Sequence, residues 1–360
     1  MGDVGTLETG FQSRLSIMLT RRCNLRCRHC CVEALPASAR GGDLQEHDLR
    51  AWLEQIGPTH KVTYLSLTGG EPFLAPALLR VAVGLAAEQG LALGVVTNGF
   101  WAASPAAAQR QLEPFLPWAQ ALTLSLSVDR FHQEHVPLER IRYAIAAARA
   151  VGIQRIKIKL GYLGGSADQH TEWLLQALGE PVGSLLVECR PIHRTGRAAR
   201  QVASEEFVGT PDERLVSLME IPCAVADFPL ITPEGKVYAC CGAALLLKHP
   251  TPLLLGDLRD ETLGEILERS EANAILHFIR LYGPGQLFAR MGRQVTLQEA
   301  DATNLCSLCL KFFASPRLVA DLEQRLQEPA WQQMVHEIAV RRLLYRNEAA
   351  MLAGRPHTRA

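Results

Sequence analysis

Over the first two hundred residues, short apolar runs rich in Val, Ile, Leu and Thr alternate with stretches whose apolar spacing is that of a helix. The runs predict strands at Arg14–Thr20, Lys61–Thr68, Leu91–Thr97, Ala121–Val128, Ile153–Leu160 and Val182–Glu188. The clearest helix is Asp43–Ile56, where Leu49, Trp52, Leu53 and Ile56 form one stripe. Asp43 and Glu46 read as its capping box, and Gly57-Pro58 as its stop. A second helix, Leu138–Val151, ends at Gly152. Strands joined by helical crossovers imply a parallel sheet, either an open Rossmann-type sheet or a curved partial barrel. The unusual residues all follow strand C-termini: Thr20 leads into cysteines, Thr68 into Gly69-Gly70-Glu71-Pro72, Thr97 into Asn98-Gly99, and Ser127 to Asp129. In barrels that end is the active face. The first strand is not followed by Gly-x-Gly-x-x-Gly, which weakens the Rossmann alternative.

The pattern changes after a polar, charged stretch at Thr195–Pro211. Phe228–Cys241 reads as a β-hairpin turning at Pro233-Glu234-Gly235. Helices follow at Thr262–Arg269 and Ala272–Leu281, and the tail, Pro316–Leu352, is helical with a break at Pro329. Trp331, Met334, Val335 and Ile338 suit a packed face of that tail. The expected organisation is a barrel over residues 1–200, a smaller α+β domain over 201–315 and a helical extension over 316–360.

Composition narrows the setting. Thirty-seven acidic residues balance thirty-seven basic ones, so no strong field draws in nucleic acid or an anionic membrane. No signal segment and no long uncharged apolar run is visible, which predicts a cytoplasmic protein. There are ten cysteines, and they fall in clusters: Cys23, Cys27, Cys30 and Cys31, then Cys189, then Cys223, Cys240 and Cys241, then Cys306 and Cys309. Tight groups with long gaps read as metal ligands rather than a disulfide framework. Three thiolates in Cys23–Cys30 would leave one iron of a four-iron cluster without a protein ligand. The alternative is structural zinc, with His29 or Cys31 completing the set.

Cys-x3-Cys-x2-Cys after the first strand, followed by Gly69-Gly70-Glu71-Pro72 after the second, resembles the radical S-adenosylmethionine (SAM) superfamily. The resemblance spans roughly residues 14–200 and implies a partial (β/α)6 barrel. It implies that Cys23, Cys27 and Cys30 hold a [4Fe–4S] cluster whose open iron binds SAM. Gly69, Gly70, Glu71 and Pro72 would meet the methionyl amino group, the glycines giving close approach. His29 would lie against the adenine, and Ser125 and Ser127 would contact the ribose or carboxylate. Reductive cleavage of SAM would give a 5′-deoxyadenosyl radical that takes hydrogen from a C–H bond. On this reading Gly70→Val lowers SAM affinity and leaves the cluster in place. Arg155, Lys157 and Lys159 share one face of the fifth strand, as lumen cations or as a solvated edge. Asp129, His132 and His135 read as substrate contacts or local hydrogen bonding, with a His-x2-His metal site as the alternative.

Cys223, Gly235 and Cys240 match the opening of the SPASM and twitch domains that follow many radical SAM barrels, and Arg190–Ala198 resembles the segment leaving such a barrel. The short remainder favours the twitch form. Its auxiliary [4Fe–4S] cluster would be held by Cys223, Cys240, Cys306 and Cys309, with Cys241 as a substitute for Cys240 and zinc as the alternative metal. Proteins of this kind often modify ribosomally made peptides by epimerisation, dehydrogenation or crosslinking. Only 22 residues precede Cys23, too few for a fused recognition domain, so a separate peptide-recognition protein or leader binding by the helical tail is expected. An electron donor such as flavodoxin or ferredoxin is implied. The alternatives are a small-molecule radical dehydrogenase and a non-catalytic iron–sulfur sensor. Cys189, placed just after the sixth strand, is expected either to quench a substrate radical by donating hydrogen or to be a buried apolar side chain.

Overall fold

The computed structural model describes residues 14–56, 62–163, 167–181, 183–203, 206–207, 219, 221–226, 228–240, 242–293, 305–338 and 340. Six strands run parallel in chain order: β1 (Arg14–Thr20), β2 (Tyr64–Gly69), β3 (Ala92–Thr97), β4 (Leu122–Ser127), β5 (Arg155–Tyr162) and β6 (Leu186–Pro191). The connections carry α1 (Glu46–Glu54), α2 (Pro76–Glu88), α3 (Pro105–Leu112), α4 (Leu138–Ala150) and α5 (Ala167–Leu178). Alternate residues of β4 and β5, Leu122, Leu124 and Leu126 on the one and Ile156, Ile158 and Leu160 on the other, are buried. This is the partial (β/α)6 barrel. The chain then returns. β7 (Leu230–Ile231) pairs parallel to β1, and β8 (Lys236–Tyr238) and β9 (Leu254–Asp257) continue antiparallel. Among the described residues the sheet has nine strands in the order β9-β8-β7-β1-β2-β3-β4-β5-β6. The smaller region adds α6 (Leu263–Glu271), α7 (Ala274–Arg290), α8 (Leu305–Phe313) and α9 (Pro316–Arg325).

Several expectations need correction. Helix α1 starts at Glu46 with Gln45 before it and no side-chain cap. Asp43 instead accepts from Thr20 Oγ1 (2.5 Å) and pairs with Arg22, which ties the end of β1 to the loop before the helix. Leu49, Trp52, Leu53 and Ile56 are buried as expected, whereas Gly57 and Pro58 lie outside the described residues. The sixth strand starts later than expected, at Leu186, because residues 183–185 form a turn. In the tail the break falls at residues 326–328, and Pro329 opens the next helix, where a missing N–H costs least. Trp331 and Ile338 are buried there, and the tail beyond residue 340 lies outside the described residues. No helix among the described residues is long and apolar enough to cross a membrane.

Candidate active site

The C-terminal ends of β1 to β4 carry the site. After β1, Arg22–Cys23 pairs with Leu35–Pro36 and closes the base of a loop holding Cys23, Cys27 and Cys30. Cys23 and Cys27 are buried and Cys30 half-buried, whereas Cys31 is exposed. The backbone N–H of Leu25 donates to Cys23 Sγ at 3.3 Å, and Asn98 Nδ2 lies 3.8 Å from the same sulfur. Burial pushes the thiol of Cys23 up to about 11 and that of Cys27 to about 12, and neighbouring acids and cysteines add to it. Ligation must therefore displace protons from thiols that repel one another's charge, as expected of a site built for metal. The donor set, three soft thiolates with N–H donors aimed at sulfur, fits an iron–sulfur cluster with one open iron.

Glu71 is buried and bonds inward. Its carboxylate accepts from Thr97 Oγ1 (2.7 Å), Asn98 N (2.8 Å) and Phe73 N (3.1 Å), which locks the end of β2 to the end of β3. Burial raises its pKa to about 7 despite these donors. Gly70 departs from the expectation drawn for it. Its N–H donates to Thr20 O (2.7 Å) and that of Glu71 to Arg22 O (2.8 Å). A Cβ on Gly70 would overlap the Arg22 carbonyl and lie 2.8 Å from that of Arg21. The close approach that needs glycine is thus to the segment entering the cysteine loop. Pro72 starts the short helix that follows and is itself buried. Gly69 pairs with Thr20 across the same junction.

His29 stacks on Phe131 (centroids 4.9 Å, interplanar angle 18°) and meets His132 edge-on at 4.8 Å. Asp129 bonds both imidazoles, so the residues after β4 form a local hydrogen-bonded network with the cysteine loop. Ring nitrogens of His29 and His132 and the Cys27 sulfur all lie within 4.8 Å of one another. The His-x2-His alternative is not what the structure brings together, since His135 is not part of this group. Ser125 and Ser127 on β4 stand in register with Lys157 and Lys159 on β5, and Lys159 with Glu188 on β6. These residues share one face. Lys157 pairs with Glu188 at 3.4 Å, so an acid partly offsets the cationic row. Arg155 is exposed and donates to Gln120 O (2.8 Å) at the opposite end of the strand from the cysteines.

Cys189 is not brought to this face. It lies within β6, in register with Leu160, and its Sγ is 3.0 Å from Thr171 Oγ1 and 3.6 Å from Ala167 O on α5. The thiol thus faces the crossover helix. Position was the ground for a hydrogen-donor role, and that ground is lost.

Arg197 is the residue the sequence reading missed. It is buried; its backbone N–H donates to Cys30 O (3.1 Å), its Nε to Cys27 O (3.0 Å) and its Nη1 to Ala34 O (3.1 Å). Gly196 before it has φ 57°, and a Cβ there would lie 2.6 Å from Cys30 O. The segment leaving the barrel therefore clamps the cysteine loop and brings it a positive charge. Arg197→Ala is expected to orphan the Ala34 carbonyl at about 1–3 kcal/mol, to take one of two donors from Cys27 O, and to speed cluster loss to a chelator. Arg197→Lys should restore little, because a single ammonium lacks the planar fork. Iron content and bleaching of cluster absorbance check both.

In the smaller region, Cys223, Cys240 and Cys306 lie near enough to Cys309 to act on its charge. Cys306 and Cys309 lie one turn apart on α8, Cys240 follows β8, and the N–H of Cys223 donates to Ile279 O (3.1 Å) on α7. Burial pushes the Cys309 thiol well above its ordinary range, and the charges of Cys240, Cys306 and Cys223 add to it. Four half-buried thiols that feel one another's charge suit a fully ligated cluster. Cys241 lies outside the described residues. Changing Cys306 and Cys309 together to Ala is expected to remove about four iron atoms per chain and leave the first cluster in place. Iron analysis with electron paramagnetic resonance would show it.

The barrel, the three-cysteine loop and the second cysteine set define an iron–sulfur enzyme of the radical SAM type. Comparison with known proteins agrees: residues 17–178 match the model of the radical SAM superfamily, and residues 223–310 match the SPASM iron–sulfur cluster-binding domain. The chain belongs to the radical SAM superfamily and carries a SPASM domain. It therefore binds SAM at a [4Fe–4S] cluster and has further iron–sulfur ligation in the SPASM domain. It is 21% identical over 312 residues to YydG of Bacillus subtilis, named for peptide biosynthesis, covering 85% of this chain and 93% of that one. It is 28% identical over 311 residues to GTP 3′,8-cyclase 1 of Pseudomonas aeruginosa, covering 72% and 89%. Among solved structures, BtrN in complex with AdoMet and 2-DOIA superposes with a TM-score of 0.42 at 14% identity, covering 77% of this chain and 90% of BtrN.

Proposed function

We propose that this enzyme modifies a ribosomally made peptide by taking hydrogen from an unactivated C–H bond. The observation that carries this reading is the likeness to YydG along 93% of that protein's length. When bound, the SAM-binding cluster supplies the electron that cleaves SAM. The chain's own residues do the rest. Cys23, Cys27 and Cys30 hold the cluster, and the Gly69–Pro72 junction fixes the wall beside it. His29 offers its ring at the adenine side, and Ser125 and Ser127 line the face where ribose and carboxylate would lie. Cys223, Cys240, Cys306 and Cys309 would hold an auxiliary [4Fe–4S] cluster, which would supply an acceptor for the electron a substrate radical gives up on oxidation. An external donor of the flavodoxin or ferredoxin kind supplies the first electron.

The test is anaerobic incubation of the reduced, cluster-loaded protein with SAM and candidate peptides in deuterated water. Loss of two hydrogens indicates dehydrogenation or a crosslink, and gain of one deuterium indicates epimerisation. A second reading, a small-molecule substrate, is favoured by the likeness to GTP 3′,8-cyclase 1. Consumption of GTP with 5′-deoxyadenosine formation, and no change in any peptide, would move the assignment there.

A further inference from the structure

Asp129 stands at the end of β4 with its side chain 3% exposed, and both carboxylate oxygens are committed to internal donors. Oδ1 accepts from the backbone N–H groups of Phe131 (2.9 Å) and His132 (3.0 Å). Oδ2 faces His132 Nδ1 at 2.7 Å and His29 Nε2 at 3.1 Å. Burial alone would favour the neutral acid, but the charge and hydrogen bonds of His132, then those of His29, hold the carboxyl well below its ordinary range. The group is a buried anion. Each imidazole must carry its proton on the nitrogen that faces it. Both rings present a nitrogen within 4.8 Å of the Cys27 sulfur. A fixed negative charge thus sits one imidazole away from a ligand of the SAM-binding cluster, in surroundings that screen it poorly.

We propose that the charge of Asp129, softened by its bonds to His29 and His132, holds the reduction potential of the SAM-binding cluster low. Reduction adds one electron, taken from an external one-electron donor, to a centre already rich in thiolate charge. A nearby anion opposes that step, and N–H donors to the anion soften the opposition. The inference rests on Cys27 being a cluster ligand and is independent of the substrate.

The experiment is an anaerobic redox titration of the full, cluster-loaded chain, read by electron paramagnetic resonance. The signal followed is the one that changes on adding SAM, which separates it from the auxiliary cluster. Asp129→Asn removes the charge but keeps an equally good helix cap, and its midpoint should become less negative. His132→Phe removes one donor and leaves the anion held by His29 and two backbone N–H groups, so its midpoint should become more negative. Glu134→Gln, which alters an exposed carboxylate paired with Arg28, should shift it less than Asp129→Asn. An unchanged midpoint in Asp129→Asn, or shifts of one sign in both network variants, overturns the proposal. Should Asp129→Asn fail to hold its cluster, the sign found for His132→Phe decides. No substrate enters the measurement, so failure of the peptide assignment would show only in turnover.

Discussion

Changing Cys23, Cys27 and Cys30 together to Ala is expected to abolish 5′-deoxyadenosine formation completely and to lower iron by about four atoms per chain. The fold should persist, because the loop is held at its base by Arg22–Cys23 against Leu35–Pro36 and by Arg197 from the far side, neither of which uses sulfur. The thiols of Cys23 and Cys27, pushed up to about 11 and about 12, are neutral in the apoprotein, so their loss removes small side chains and no ion pair. Far-ultraviolet circular dichroism should therefore match the unmodified protein while SAM cleavage is absent. Residual SAM cleavage in the triple variant would place the open iron elsewhere.

Gly70→Val is expected to have the second largest effect, and through assembly rather than SAM affinity. The new Cβ has no room against the backbone of Arg21 and Arg22, so the strand end must separate from the segment that feeds Cys23. That breaks the bonds from Gly70 N to Thr20 O and from Glu71 N to Arg22 O. A cost on the order of 3 kcal/mol or more follows for overpacking against backbone. Reconstitution should yield little of the first cluster, and thermal unfolding should fall by several degrees. A variant that loads both clusters fully and loses only SAM binding would restore the ligand-contact role for this glycine.

These two cases show what the sequence made legible. The strand ends were readable because apolar runs marked six strands, and the cysteine loop, Asn98 and Asp129 follow the ends of β1, β3 and β4. The cysteine spacing pointed to Cys23, Cys27 and Cys30, since residues close in sequence leave a local pattern. What stayed hidden was long-range. Arg197 lies 170 residues from Cys27, so no spacing connects them. The pairing of β7 with β1 lies equally beyond local pattern, because two apolar residues, Leu230 and Ile231, are too few to announce a partner. Asp43 misled because a helix cap and a loop anchor call for the same residue type. Cys189 misled because a shift of a few residues in the sixth strand changes which face a side chain takes.

The clamp by Arg197 has a consequence in time. During synthesis the cysteine loop leaves the ribosome long before the residue that closes it. At about 5–20 residues per second, the 170 intervening residues take roughly 10–30 s to be made. The strand that covers the outer edge of β1 comes later still. Throughout that interval the loop is held at its base by Arg22–Cys23 against Leu35–Pro36 and lacks its second fastening. The order of translation thus leaves the loop without this fastening until Arg197 can reach the carbonyls of Cys27 and Ala34.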